Sequence, residues 1–137
     1  PVLCRLLLPV AVAILTLYSF TKRFTSLCHL VLGVALGSSA IGGWLALTGS
    51  FGGGLPLLFG LAVMFWVAGF DVIYACQDAE FDRAEGLFSL PARLGVATAL
   101  QASRWFHGLS VWALVVFGWL YGETQHAVGL GFWLAVA

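Results

Sequence analysis

Two stretches of about twenty residues, 27–47 and 55–75, hold a single formal charge between them, Asp71. At a rise of ~1.5 Å per helical residue each is long enough to cross a hydrocarbon core ~30 Å thick. Backbone N–H and C=O groups find no water in that core, so such segments close their hydrogen bonds internally as helices and not as open strands. Three more apolar runs, residues 6–20, about 96–120 and 128–137, extend the pattern. The expected fold is all-α, a polytopic transmembrane bundle of about five helices in a single domain over residues 1–137.

Composition agrees with lipid as the solvent. Hydrophobic residues make up 61% and charged residues 9%, with mean hydropathy +1.02. A soluble domain is about 45–50% apolar and about 25% charged. Six basic and six acidic residues cancel, which excludes nucleic-acid binding driven by bulk charge. The chain opens on Pro1 and stops within an apolar run at Ala137, so both ends are expected to continue. No basic start with a cleavage site marks a signal peptide. Cys4, Cys28 and Cys76 are scattered without CxxC spacing and read as small buried hydrophobes, while His29, His107 and His126 stand alone and read as packing or interfacial residues.

Charge asymmetry orients the runs. Lys22, Arg23, Arg83 and Arg93 fall in the first and third links, residues 21–25 and 76–95, while the links at 48–54 and 121–126 hold no Lys or Arg. Excess Lys and Arg marks the cytoplasmic side of short loops. The expectation is a multi-pass protein of the inner (plasma) membrane with both charged links on the cytoplasmic face.

The chemistry-bearing residues gather at those links. Asp71, Tyr74, Asp78 and Asp82 are spaced by three, seven and eleven residues from the first. On one continuous helix they share a sector about 80° wide. Three carboxylates on one stripe repel unless a cation sits among them, and Mg²⁺ takes oxygen ligands, water and substrate phosphates. Spacing alone leaves two other readings open: surface acids paired with Arg83 and Arg93, or a carboxylate cation site in a transporter. Tyr18 and Lys22, four apart, lie on one face of the first helix, and Lys22–Arg23 by themselves also serve as a topology signal.

These elements carry a specific resemblance. Asp71-x-x-Tyr74-x-x-x-Asp78-x-x-x-Asp82 resembles the second aspartate-rich motif of UbiA-family prenyltransferases, and Tyr18-x-x-x-Lys22 resembles that family's YxxxK element. The flanks at 21–33 and 86–95 are similar to the 4-hydroxybenzoate polyprenyltransferase branch, and the likeness covers essentially the whole chain. It implies helices 4–8 of a nine-helix bundle. The family's first aspartate-rich motif, NDxxDxxxD, is not among these residues, and the chain by itself is expected to be inactive.

The resemblance further implies a Mg²⁺-dependent aromatic prenyltransferase of quinone biosynthesis. A polyprenyl diphosphate and an aromatic acid acceptor, 4-hydroxybenzoate, would be its substrates. Asp78 and Asp82 would hold the metal and, with Lys22 and Tyr18, form the catalytic set. Lys22, Arg23 and Asp71 would serve the diphosphate, and apolar helix faces would house the isoprenoid tail. The 86–95 flank is also similar to relatives acting on menaquinone precursors.

Overall fold

The computed structural model describes residues 2–51 and 53–125. Six helices occur among them: α1 Val2–Thr21, α2 Cys28–Thr48, α3 Leu55–Gln77, α4 Ala79–Ala84, α5 Leu90–Leu94 and α6 Val96–Gln125. The all-α expectation holds for these residues. Cys28–Thr48, Leu55–Gln77 and Val96–Gly122 are long and apolar enough to cross a membrane, while the apolar part of α1, Arg5–Tyr18, is shorter. The expected run at 128–137 lies outside the described residues, as does His126.

Helix α3 is the centre of the bundle, packed along α2 on one side and α6 on the other, with α1 laid on α2. Lipid tails give helices no hydrophobic reason to associate, so close backbone approach and polar contacts must do it. Gly33 and Gly37 supply the first: a Cβ on Gly37 would stand 2.5 Å from Gly60 O, and one on Gly33 would overlap Met64 O. Serines supply the second. On α6, one heptad apart, Ser103 Oγ donates to Gly69 O at 2.8 Å and Ser110 Oγ donates to Ala62 O at 2.7 Å.

His107 has the packing role expected of it. Its Nδ1–H donates to Ser103 O at 2.8 Å, and its ring stands edge-on to Trp66 with centroids 5.1 Å apart. The buried core is made of small residues such as Ala62, Ala68, Val72, Ala99 and Ala113. Large apolar side chains, including Trp66, Trp105, Trp112 and Trp119, point outward, the arrangement that a lipid-facing surface tolerates and an aqueous one does not.

The third link departs from the single-helix geometry. Helix α3 ends at Gln77, and Asp78 leaves the helical register at φ −99° and ψ 10°. Its N–H reaches Ala75 O at 3.2 Å, a three-residue turn, before α4 begins at Ala79. The break resets the angular phase, so the four-residue stripe over Asp71–Asp82 is not one face. Helix α4 then closes in a Schellman motif: Leu87 N–H donates to Asp82 O at 2.7 Å and Gly86 N–H to Arg83 O at 3.3 Å. Gly86 occupies the left-handed region at φ +69°, where a side chain would be strained. That turn sends residues 87–90 back toward the first link.

Candidate functional site

Residues 87–90 meet the first link through backbone donors. Phe88 N–H donates to Lys22 O at 2.8 Å, and Leu90 N–H donates to His29 Nε2 at 3.2 Å. Cys28 Sγ lies 4.0 Å from Phe88 O, and the Arg93 guanidinium stacks 4.8 Å over the Phe88 ring. The first and third links therefore lie at one end of the bundle.

At that end α1, α2 and α3 enclose a cavity of about 270 Å³ lined by Tyr18, Lys22, Cys28, His29, Asp71, Tyr74, Ala75 and Asp78. Each wall follows from local structure. Tyr18 sits on the last turn of α1 and Lys22 just beyond its end, where Thr21 Oγ1 donates to Tyr18 O at 2.7 Å. Cys28 and His29 open α2, and Asp71, Tyr74 and Ala75 line the last two turns of α3. Asp78, at the break, is exposed at the rim.

Asp82 is placed differently from the other acids. It is fully buried and is not among the lining residues. Its Oδ1 stands 2.8 Å from Lys22 Nζ, with the lysine side chain 36% exposed and the aspartate 1%. Among the described residues the Lys22 ammonium is the donor within reach of Asp82, and it pairs by charge without well-directed hydrogen-bond geometry. The site thus unites Tyr18, Lys22, Asp71 and Asp78 around one cavity, with Asp82 seated behind Lys22. Arg23 is exposed in the link and does not line the cavity. Among the described residues Arg83 and Arg93 form no ion pair with these acids; Arg83 Nε donates to Ala92 O at 3.4 Å.

His29 is packed as expected, but it does not stand alone as the sequence suggested. It is 2% exposed and bonded at both nitrogens, with Nδ1 2.6 Å from Asp71 Oδ2. Packing alone does not describe it. The signal was present: an ionisable residue on the first turn of an apolar helix, at the same membrane depth as Asp71, calls for a partner. Cys28 packs beside it as a free thiol.

The cavity's oxygen-rich acids, one ammonium and two phenols suit an anionic substrate held through a cation. Among the described residues no group of three His, Cys, Asp or Glu forms a protein-only metal cage. Mg²⁺ is commonly held by one or two carboxylates together with substrate phosphates and water. The exposed Asp78 carboxylate matches that donor chemistry, and Asp82, buried and outside the cavity lining, offers a second carboxylate beside Lys22.

Comparison with known proteins identifies the family. Residues 1–137 match the model of the UbiA prenyltransferase family. A solved structure of a UbiA homolog from Aeropyrum pernix K1 superposes with TM-score 0.81 and 39% identity, over 96% of this chain and 48% of that one. A 4-hydroxybenzoate octaprenyltransferase of Paracidovorax citrulli is 35% identical over 93% of this chain and 43% of its own length. A polyprenyl transferase of Penicillium terrestre is 34% identical over 74% of this chain and 39% of its own. The chain spans about two fifths of the curated relatives it matches. Matched along its whole length by the family model, and sharing both sequence and helix packing with a solved homolog, this chain is a membrane-embedded member of the UbiA prenyltransferase family.

Proposed function

We propose that the complete protein transfers a polyprenyl group from its diphosphate to an aromatic acid, with 4-hydroxybenzoate as acceptor, in quinone biosynthesis. One observation carries the reading: Tyr18, Lys22, Asp71 and Asp78 line one cavity, with Asp82 held behind Lys22. The names of the bacterial relatives support the acceptor.

In this reading the Lys22 ammonium donates to a non-bridging oxygen of the diphosphate. Its hold strengthens as the allylic C–O bond breaks and the leaving group takes the electron pair. Tyr18, one helical turn inward of Lys22, fixes the region of the reacting carbon. The aromatic ring supplies the electrons of the new C–C bond and afterwards loses a proton. Asp78 and Asp82 would hold Mg²⁺, which when bound neutralises diphosphate charge that these carboxylates would otherwise repel. Arg23, exposed in the first link next to Lys22, adds positive potential for the diphosphate. Asp71 completes the polar wall.

The tail has a place on the same helix. Leu7, Ala11, Ile14 and Tyr18 recur at three- or four-residue steps along one face of α1. The first three line an apolar groove of about 250 Å³ against Ser38, Ile41 and Leu45 of α2. An isoprenoid chain leaving the cavity along α1 meets that groove.

The assay is C-prenylation of 4-hydroxybenzoate by membranes holding the complete gene product, with Mg²⁺ supplied or chelated. Mg²⁺-dependent product supports the proposal. Transfer only to a menaquinone precursor would reassign the acceptor, and cation flux without prenyl transfer would favour a transporter. We also place the cavity on the cytoplasmic side of the plasma membrane. Cysteines introduced at Arg23 and Arg83 should label from that side of sealed vesicles and one at Ser50 from the other; Arg23 and Arg83 labelling from opposite sides would overturn the topology.

A further inference from the structure

We propose that His29 is a positioning residue, one that aims the Asp71 carboxylate at the cavity and ties that aim to the seating of the third link. The inference rests on the prenyl-transfer reading for what Asp71 serves, and on geometry alone for the tie.

Hydrogen-bond accounting at the start of α5 sets the tautomer. Ser89 holds the N-cap position yet makes no side-chain cap bond, and its buried Oγ has no partner. Pro91 has no N–H to offer. The first free donor of α5, Leu90 N–H, goes instead to His29 Nε2 at 3.2 Å. A backbone N–H only donates, so Nε2 must carry its lone pair. The neutral ring then has its proton on Nδ1, 2.6 Å from Asp71 Oδ2. Turning the ring over would put carbon atoms against both partners and leave a buried donor unpaired.

The imidazole is therefore fixed at both nitrogens, and Asp71 is fixed with it. Asp71 keeps a quarter of its side chain exposed and lines the cavity. The same segment that His29 caps also donates from Phe88 to Lys22 O. Any shift of residues 88–90 reaches both Asp71 and Lys22. The third link thereby sets the geometry of two site residues through one buried histidine.

Asparagine and glutamine separate the two bonds. In His29→Asn the amide nitrogen stands near the Nδ1 position and still donates to Asp71, while the reach to Leu90 is lost. In His29→Gln the amide oxygen stands near Nε2 and still accepts from Leu90, while the donor to Asp71 is lost. Measured as prenyl transfer per inserted molecule of the complete gene product, His29→Gln should lose about tenfold or more, and His29→Asn should restore most of it. Because His29 acts through Asp71, the double variant His29→Gln/Asp71→Asn should be no slower than Asp71→Asn alone. Limited proteolysis should cut the third link faster in His29→Asn than in His29→Gln. Equal losses in the two single variants, or losses that multiply in the double variant, would overturn the proposal.

A second measurement does not depend on activity. Solid-state ¹⁵N spectra of labelled histidine should show His29 with Nδ1 protonated and Nε2 bare, and the Nδ1 signal should move in Asp71→Asn. A protonated Nε2 would refute the tie. If the complete protein transfers no prenyl group, the functional reading falls, while these spectra and the proteolysis still decide the role of His29.

Discussion

Helices α2 and α3 touch along their length by two different means. At the cavity end the contact is made by a directed hydrogen bond, His29 to Asp71, beside the Lys22–Asp82 ion pair that ties the first link to α4. Toward the middle of the membrane it is made by missing side chains, Gly33 and Gly37 set against Met64 and Gly60. The difference teaches where chemistry is affordable in lipid. A buried polar group needs a partner within reach, so the cavity end is held by the links that supply partners. Mid-membrane, backbones close to van der Waals distance need none. Substitutions at the first region should act on turnover or on a stranded charge, and substitutions at the second should act on assembly.

The largest effect is expected at Lys22. Lys22→Met keeps the side-chain length but strands the buried Asp82 carboxylate. Removing one partner of a buried pair costs about 3–5 kcal/mol, and the partial exposure of Lys22 puts this case near the low end. Detergent-solubilised protein should unfold at a clearly lower temperature, and adding Asp82→Asn should recover much of the loss without recovering turnover. If stability is untouched by Lys22→Met, the pair is not what holds that end. Lys22→Arg keeps the charge while its planar head fits a point-charge site poorly, so turnover should drop with stability intact.

Next is Asp78→Asn. Asp78 is exposed at the rim, and its loss should leave the fold alone. Losing one transition-state contact of ~3–4 kcal/mol lowers turnover roughly 10²–10³-fold. Normal prenyl transfer by the complete protein carrying this change would remove Asp78 from the site.

Gly37→Val tests the seam. Overpacking a tight contact costs typically ~1–3 kcal/mol, so the folded fraction in detergent should fall while turnover per folded molecule holds. A loss of turnover with full stability would break the division between the two regions. The smallest effect belongs to Ser103→Ala, which removes the hydroxyl that donates to Gly69 O. Interhelical bonds of this kind average ~0.6 kcal/mol in membranes, visible as a small shift in thermal unfolding and nothing in catalysis.

Hydropathy determined that this chain is built on membrane-length helices, and motif spacing marked Tyr18, Lys22, Asp71, Asp78 and Asp82. Those signals are legible because the demand for internal backbone hydrogen bonding in lipid acts on each segment by itself. What lies between segments was not. The break at Asp78 depends on where α4 must point, and it moved Asp82 from the acidic stripe to a buried place behind Lys22. His29 looked like packing because its two partners, Asp71 and Leu90, lie 42 and 61 residues away. A hydrogen bond forms between groups that tertiary packing brings together, and no local pattern records which groups those will be.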